Sequence, residues 1–454
     1  MKVSKLAFGV LAGLAMVSTA QAAQQESFEF HGYFRAGYLV SAANDFKRAN
    51  FAGQKETLGR LGLEMDNDYK ANLISNWDFD DGRNFKIHFG IGAKGAEAAL
   101  TSSADGVDAG INDAFVEFNG VSPSGTFWAG RREYGKEGNY IFMTDFFYTD
   151  MSGMGIGLNG IEMGTSLVDI AYIASDRVDE DIDRWAESPA EVGNNETNLN
   201  NIMHALHLGS TFGDFKASAL LKAMPDNWDR EGREWAELGY DLTLTYSMYD
   251  FFGFGNGFSN IIVQGGQGLG AGNLLGGTIT AYNAYAPGSL AQGQHNDWGD
   301  AGEATYLLTQ LEEEDVSGRV LLWGAYKFDN GINLFPSLQG QYNYMAEGDN
   351  RLESDYNYWM SAMTRATMPV SQHFYMQGEI GYVYNNWGGE SWTQSKLTVA
   401  PTFILPTSYG IAPEIRLLAS YLPESWTNEE FDESQGKLVP SDDFILGFQV
   451  DVWW

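Results

Sequence analysis

Phe444-Ile445-Leu446-Gly447-Phe448-Gln449-Val450-Asp451-Val452-Trp453-Trp454 ends the chain, and it alternates with period two over its whole length. Side chains of an extended strand point to opposite faces in turn. Phe444, Leu446, Phe448, Val450, Val452 and Trp454 therefore share one face, and Ile445, Gly447, Gln449, Asp451 and Trp453 share the other. The first face is wholly apolar and needs cover. In a soluble barrel that cover is a protein core, whereas a membrane barrel turns the same face to lipid and keeps the polar one for water. Period alone does not choose between them.

The start of the chain does. Lys2 and Lys5 form a positive n-region, Leu6 to Val17 an apolar h-region, and Ala20-Gln21-Ala22 a small-residue cleavage site. Residues 1–22 thus read as an export signal, with the mature barrel domain running over 23–454. No later apolar stretch reaches the roughly 18 residues that a membrane helix needs, so any spanning is done by strands. The composition suits that: 54 Gly, 23 Tyr, 28 Phe and 13 Trp stand beside only 11 Pro, an aromatic-rich and turn-rich mixture. A chain that stops on an outward aromatic also resembles the terminal signal of outer-membrane barrels.

Charge and cysteine usage narrow the function classes. A net charge of −33 makes nucleic acid a poor partner. With no Cys there is neither a disulfide nor thiol chemistry, and the six His show no metal-ligand spacing. No cofactor and no metal site is expected. Glu312-Glu313-Glu314-Asp315 and the stretch Asp176 to Asp183 lack EF-hand spacing and read as solvated loops, with divalent cations bridging lipopolysaccharide as the sharper alternative.

Alternation recurs along the chain. Phe85, Ile87, Phe89 and Ile91 oppose Lys86 and His88, and Leu397, Val399, Phe403 and Leu405 oppose Lys396, Thr398 and Thr402. Short connections at Gly82-Arg83-Asn84 and Phe212-Gly213-Asp214 alternate with long polar ones over Ser175 to Asn201, Pro287 to Gly318 and Pro423 to Asp443. That asymmetry is expected of a barrel with one periplasmic and one external rim. About 18 to 20 candidate strands imply a single all-β domain, a transmembrane antiparallel β-barrel wide enough for an aqueous lumen.

If the apolar faces meet lipid, parity points Tyr33 and Arg35 into the pore, and equally Arg60 with Glu64 and Arg416 with Glu414. Trp359, Arg365, Gln377 and Glu379 join them on the inner face. Rings beside ion pairs suit sugars: pyranose C–H faces stack on Tyr or Trp, while hydroxyls exchange hydrogen bonds with Arg, Glu and Asp. The same residues also serve a non-selective pore, with the charges hydrating it and the rings filling space. Carboxylate pairs allow a secreted glycosidase or a β-rich lectin too, although among 60 acidic residues such pairs arise by chance.

A resemblance adds to this. Phe30-His31-Gly32-Tyr33-Phe34-Arg35, Arg60-Leu61-Gly62-Leu63-Glu64, Trp128-Ala129-Gly130-Arg131-Arg132, the run Met143 to Gly153, Ile415-Arg416 after Pro413, and the ending Val452-Trp453-Trp454 look like maltoporins and keep their order. The resemblance implies an outer-membrane homotrimer of barrels with about 18 strands each, a third loop folded into the pore, and an aromatic slide for maltose and maltodextrins flanked by ionic residues. Residue by residue it places Tyr33, Tyr69 and Trp453 on the slide and Arg35 and Arg60 on the polar track, with Glu64 and Arg416 joining by parity. Asp145 and Phe147 fall at the constriction. Phe147 stands where the family carries a Tyr. A slide Trp falls at Gly410, beside Tyr409, and the second-loop Trp has no counterpart in Ala93 to Gly110. Sugars, outer-membrane lipid and lipopolysaccharide are the expected partners.

Overall fold

A computed structural model describes residues 24–49, 55–64, 67–95, 108–138, 144, 146–176, 202–225, 236–278, 311–346, 356–387, 390–405, 413–432 and 437–454. The leader, Asp145, most of the second long connection and Tyr409-Gly410 lie outside them, as do residues 177–183.

Eighteen long strands form the wall. They are β1 Gln24–Ser41, β2 Asn67–Asp78, β3 Asn84–Gly95, β4 Asp108–Asn119, β5 Thr126–Arg132 and β6 Gly153–Met163. Next come β7 Ser166–Asp176, β8 Ile202–Phe212, β9 Phe215–Ala223, β10 Leu238–Met248, β11 Gly257–Gly268 and β12 Val316–Lys327. Last are β13 Asn333–Tyr344, β14 Tyr356–Ser371, β15 Phe374–Trp387, β16 Glu390–Ile404, β17 Glu414–Asp432 and β18 Lys437–Trp453. Each pairs antiparallel with its sequence neighbours, and β1 closes the ring by pairing with both β2 and β18. Closure leaves no unpaired edge, which a β-protein in lipid requires because hydrocarbon offers no hydrogen bonds.

The wall is apolar outside and polar inside. Along β10, Leu238, Tyr240, Leu242 and Leu244 are exposed, while Asp241, Thr243 and Thr245 between them are buried. Along β16, Leu397, Val399 and Phe403 are exposed and Lys396, Thr398 and Thr402 buried. The alternation read from sequence is thus a lipid-facing pattern. Gly82-Arg83 and Gly213-Asp214 lie in tight turns at one rim; Gly82 (φ 84°) and Gly213 (φ 58°) supply the left-handed backbone these need. One connection differs from expectation: Pro423 to Asp443 is mostly strand, because β17 and β18 run on as a paired hairpin.

The lumen is not empty. Three segments turn inward from the long-connection rim. The first is Lys55–Glu64, which opens with a single helical turn, α1 Lys55–Leu58. The second follows β5 and contains a two-stranded ribbon pairing Glu137–Gly138 with Phe147–Thr149. The third is the glycine-rich stretch Gly268–Thr278, joined to the second by a parallel bridge between Asp150 and Gly277. Leu58, Leu61 and Leu63 pack on inward-facing Leu39, Val383, Leu418, Leu422 and Ile445, an apolar cluster inside the barrel.

Candidate functional site

A loop that enters a barrel brings unpaired backbone groups with it, and each must find a partner. The wall supplies them for the first segment. Gln339 Nε2 donates to the Glu56 carbonyl at 2.7 Å, and the Ser361 hydroxyl donates to that of Thr57. Lys396 Nζ donates to the carbonyls of Gly59 (2.5 Å) and Leu61 (2.9 Å), and Ser420 Oγ to that of Gly62 (3.3 Å). In return the Leu61 N–H donates to Glu379 Oε1 at 2.9 Å. Glu379 also meets Arg365 (2.6 Å) and Lys396 (2.5 Å) with both sides of each pair buried. Arg365, Gln377, Glu379 and Lys396 do face inward and are buried, and the covering segment bonds Lys396 and makes Glu379 its anchor.

That anchoring delivers Arg60 and Glu64. Their reading as alternate residues of a strand does not hold: they sit on a turn after α1 and pair with each other at 2.6 Å. From there Glu64 also meets Arg35 at 2.8 Å. The Tyr33 hydroxyl accepts from Arg35 (3.1 Å) and Arg60 (3.4 Å) and donates to Asp451 at 2.8 Å. Asp451 pairs with Arg416, which holds Glu414 at 2.6 Å and Gln449 at 2.9 Å. Arg35, Arg60, Glu64, Tyr33 and Arg416 thus form one connected strip across β1, β17, β18 and the first segment. Asp451 is the link between its two halves.

The aromatic candidates divide. Trp453 pairs in register with Tyr33, so both point to the lumen, and 41% of the Trp453 surface is open. Trp454 turns outward onto Phe30, 5.4 Å between ring centroids. Tyr69 is a correction. It lies opposite Phe34 and beside Ala93 on the outer face, and with Phe30, Ile91 and Trp454 it lines an apolar groove on the barrel exterior. The residue that faces Tyr33 from β2 is Lys70.

Lys70 leads to the second inward segment, where its Nζ lies 3.4 Å from Glu133. Lys136 is 3.0 Å from Glu133 and 3.5 Å from Asp150. Burial pushes the Glu133 carboxyl up, but Lys136 and Lys70 outweigh it and hold the group below its ordinary value. Burial likewise pushes Lys136 down, and Asp150 and Glu133 outweigh it to hold the ammonium above its own. Phe147 is half-buried with Lys136 Nζ 4.6 Å from its ring centre. Its neighbour Phe146 is the buried foot of the segment, against Trp359 (6.2 Å) and under Arg319 (4.9 Å). Asp145 lies outside the described residues.

Sequence reasoning left out Asp451 as a site residue, Lys70, Glu133 and Lys136, and it left out the first and third inward segments. Parity already pointed Asp451 inward, and the seven glycines of Gly265–Gly277 were a legible sign of a close-packed crossing. Asp315, read with the solvated acidic loops, is fully buried and accepts the Ala346 N–H at 2.9 Å. Among the described residues no cluster of three or more His, Cys, Asp or Glu is arranged to hold a metal ion.

Comparison with known proteins places these features. The family described as LamB porin matches residues 28–454. Maltoporin 1 of Klebsiella pneumoniae is 24% identical over 99% of this chain and 97% of its own. A maltoporin of Hahella chejuensis is 26% identical over 100% and 98%. Among solved structures, the Pseudomonas aeruginosa channel OccK5 (OpdH) gives a TM-score of 0.44 at 10% identity, covering 95% of this chain and 100% of that one. OmpT of Vibrio cholerae in its trimer form gives 0.39 at 10% identity, covering 94% and 99%.

Proposed function

The chain belongs to the LamB porin family, and from that premise we propose that it conducts oligosaccharides, maltose and maltodextrins foremost, along a track from Trp453 and Tyr33 past the constriction at Phe147. It is an outer-membrane β-barrel pore, and its work is passage rather than catalysis. One observation carries the sugar reading: the open ring of Trp453 stands on the same face as the strip Arg35–Glu64–Arg60–Tyr33–Asp451–Arg416.

A pyranose stacked on Trp453 lays its hydroxyl edge toward that strip. The strip holds donors and acceptors in alternation, and each charge already has a protein partner. A hydroxyl therefore inserts by exchanging one hydrogen bond for another, so binding stays weak. Weak sites in series allow entrance without trapping. Phe147 keeps a stacking face at the constriction without a hydroxyl of its own, with Lys136 and Glu133 beside it as the next polar pair. Homotrimeric assembly and contact of the acidic rim with lipopolysaccharide belong to the same proposal, supported by membership of the family.

Single-channel recording tests it. Millimolar maltodextrins are expected to interrupt the current through the full-length pore in planar bilayers. Trp453→Ala should weaken that block by about threefold to tenfold, the worth of one stacking contact, and leave salt conductance nearly unchanged. A current indifferent to maltodextrins makes this a general diffusion pore instead.

A further inference from the structure

A second polar site lies off the track, behind the second inward segment. Between that segment and the wall of β6 to β10 is a cavity of about 200 Å³, whose lining includes Tyr134, Glu137, Asp169, His207, Lys216 and Ser218. That is the space of roughly seven water molecules, and a single hexose fits it. We infer that this cavity is a binding site for one neutral hexose unit, separate from the Trp453–Tyr33 track.

Its chemistry selects the ligand class. Lys216 pairs with Glu137 at the mouth, where their side chains are 38% and 31% exposed. Arg132 and Asp169, both in the lining, bring one charge of each sign. The lining charges offset one another, so a phosphate would meet Asp169 and Glu137, and a divalent cation would meet Lys216 and Arg132. A neutral polyol meets neither cost. Donors and acceptors are interleaved as vicinal hydroxyls require: Tyr134 Oη hydrogen-bonds His207 Nδ1 at 3.1 Å, and His207 Nε2 hydrogen-bonds Ser218 Oγ at 3.0 Å. Thr243 and Thr245 add hydroxyls, and Met151 with the Tyr134 ring adds an apolar patch for sugar C–H groups.

The cavity is not a gap left by poor packing. Tyr134 and Trp128 donate to the same Asn159 Oδ1 (3.1 and 3.3 Å), and Tyr148 donates to Glu137 at 3.2 Å. The wall on both sides is thus hydrogen-bonded into place, which preorganises the pocket. Ser218 and Lys216 follow directly on the turn at Gly213-Asp214, so the site lies toward the short-turn rim.

Ligand-observed saturation-transfer NMR with methyl α-glucoside, on the full chain refolded in detergent, tests the assignment. Trp453→Ala removes the track's open stacking ring, and the part of the residual hexose signal that cavity-filling variants take away reports the cavity. In that background Ser218→Leu both removes the hydroxyl and fills the cavity, and should reduce hexose affinity by about thirtyfold or more. Ser218→Ala leaves the space open and removes one hydroxyl, so it should lower hexose affinity by only about fivefold, the worth of one hydrogen bond. Thr245→Leu fills the same cavity from β10 and stands in if Ser218→Leu does not refold. The proposal is overturned if the hexose signal vanishes with Trp453→Ala alone, or if neither filling variant changes it. Maltodextrin block of the current is scored separately, so the track and the cavity can fail independently.

Discussion

Tyr33 and Glu379 look alike in sequence, as inward polar residues of a barrel wall, yet their surroundings give them different work. Tyr33 holds the centre of the open strip, accepting from Arg35 and Arg60 and donating to Asp451. Tyr33→Phe keeps the ring but strips three buried charged groups of a shared partner. A loss of about 1–3 kcal/mol is expected, read as a lower urea midpoint for the refolded barrel together with weaker sugar block. Glu379 sees no open lumen: it neutralises Arg365 and Lys396 and caps the Leu61 N–H. Glu379→Gln leaves two buried cations without their anion, and breaking such a pair costs about 3 kcal/mol or more. Its channel signature should differ too. The first segment loses its anchor, so salt conductance rises and becomes noisier, whereas Tyr33→Phe leaves mean conductance near the wild-type value.

At the scale of elements, the second segment is strapped into the pore by Lys70, Glu133, Lys136 and Asp150, and this strap gives a pH dependence with a definite sign. Glu133 is held below its ordinary carboxylate value. Its contribution is therefore complete above that ordinary value, 4.5, and is lost as pH falls through the lower folded one. Lys136 is raised, so its share persists until strongly alkaline pH. Current noise should accordingly grow as pH falls below 4.5, and Glu133→Gln should already be noisy at neutral pH and nearly flat with acid. Of these elements the sequence showed the wall far better than the filling. Period two is imposed locally by strand geometry, so β10 and β16 are legible residue by residue. Leu61 and Leu63 alternate with Arg60, Gly62 and Glu64 just as a strand would, and only tertiary contact with Val383 and Leu418 distinguishes the turn they belong to. Tyr69 failed for a different reason. It was placed by the family resemblance rather than by parity, and the register that sets Lys70 opposite Tyr33 and Tyr69 opposite Phe34 gives the lumen Lys70 and the lipid Tyr69.

For the whole molecule, the arrangement is inverted relative to a soluble barrel, and the inversion decides which substitutions hurt. Outward Leu244 is 58% exposed and its inward neighbours Thr243 and Thr245 are buried. In water the apolar residue would be the error; in lipid it is the requirement. A cation on the lipid face near mid-depth costs about 2–4 kcal/mol, falling toward zero at the rims. Leu238→Arg, at the first residue of β10, should therefore cost less than Leu242→Arg, next to the middle of the same strand. Refolding into phospholipid vesicles, followed by urea titration, measures both. Thr243→Ser on the opposite face keeps the hydroxyl that accepts from Gln264 at 2.9 Å and should change stability by less than either. If the two arginine variants were equally stable, or if Thr243→Ser were the worst of the three, β10 would not present its leucines to lipid. The closure of the ring by Tyr33 opposite Trp453 would then lose its membrane setting, because the outward turn of Trp454 onto Phe30 rests on the same inverted faces.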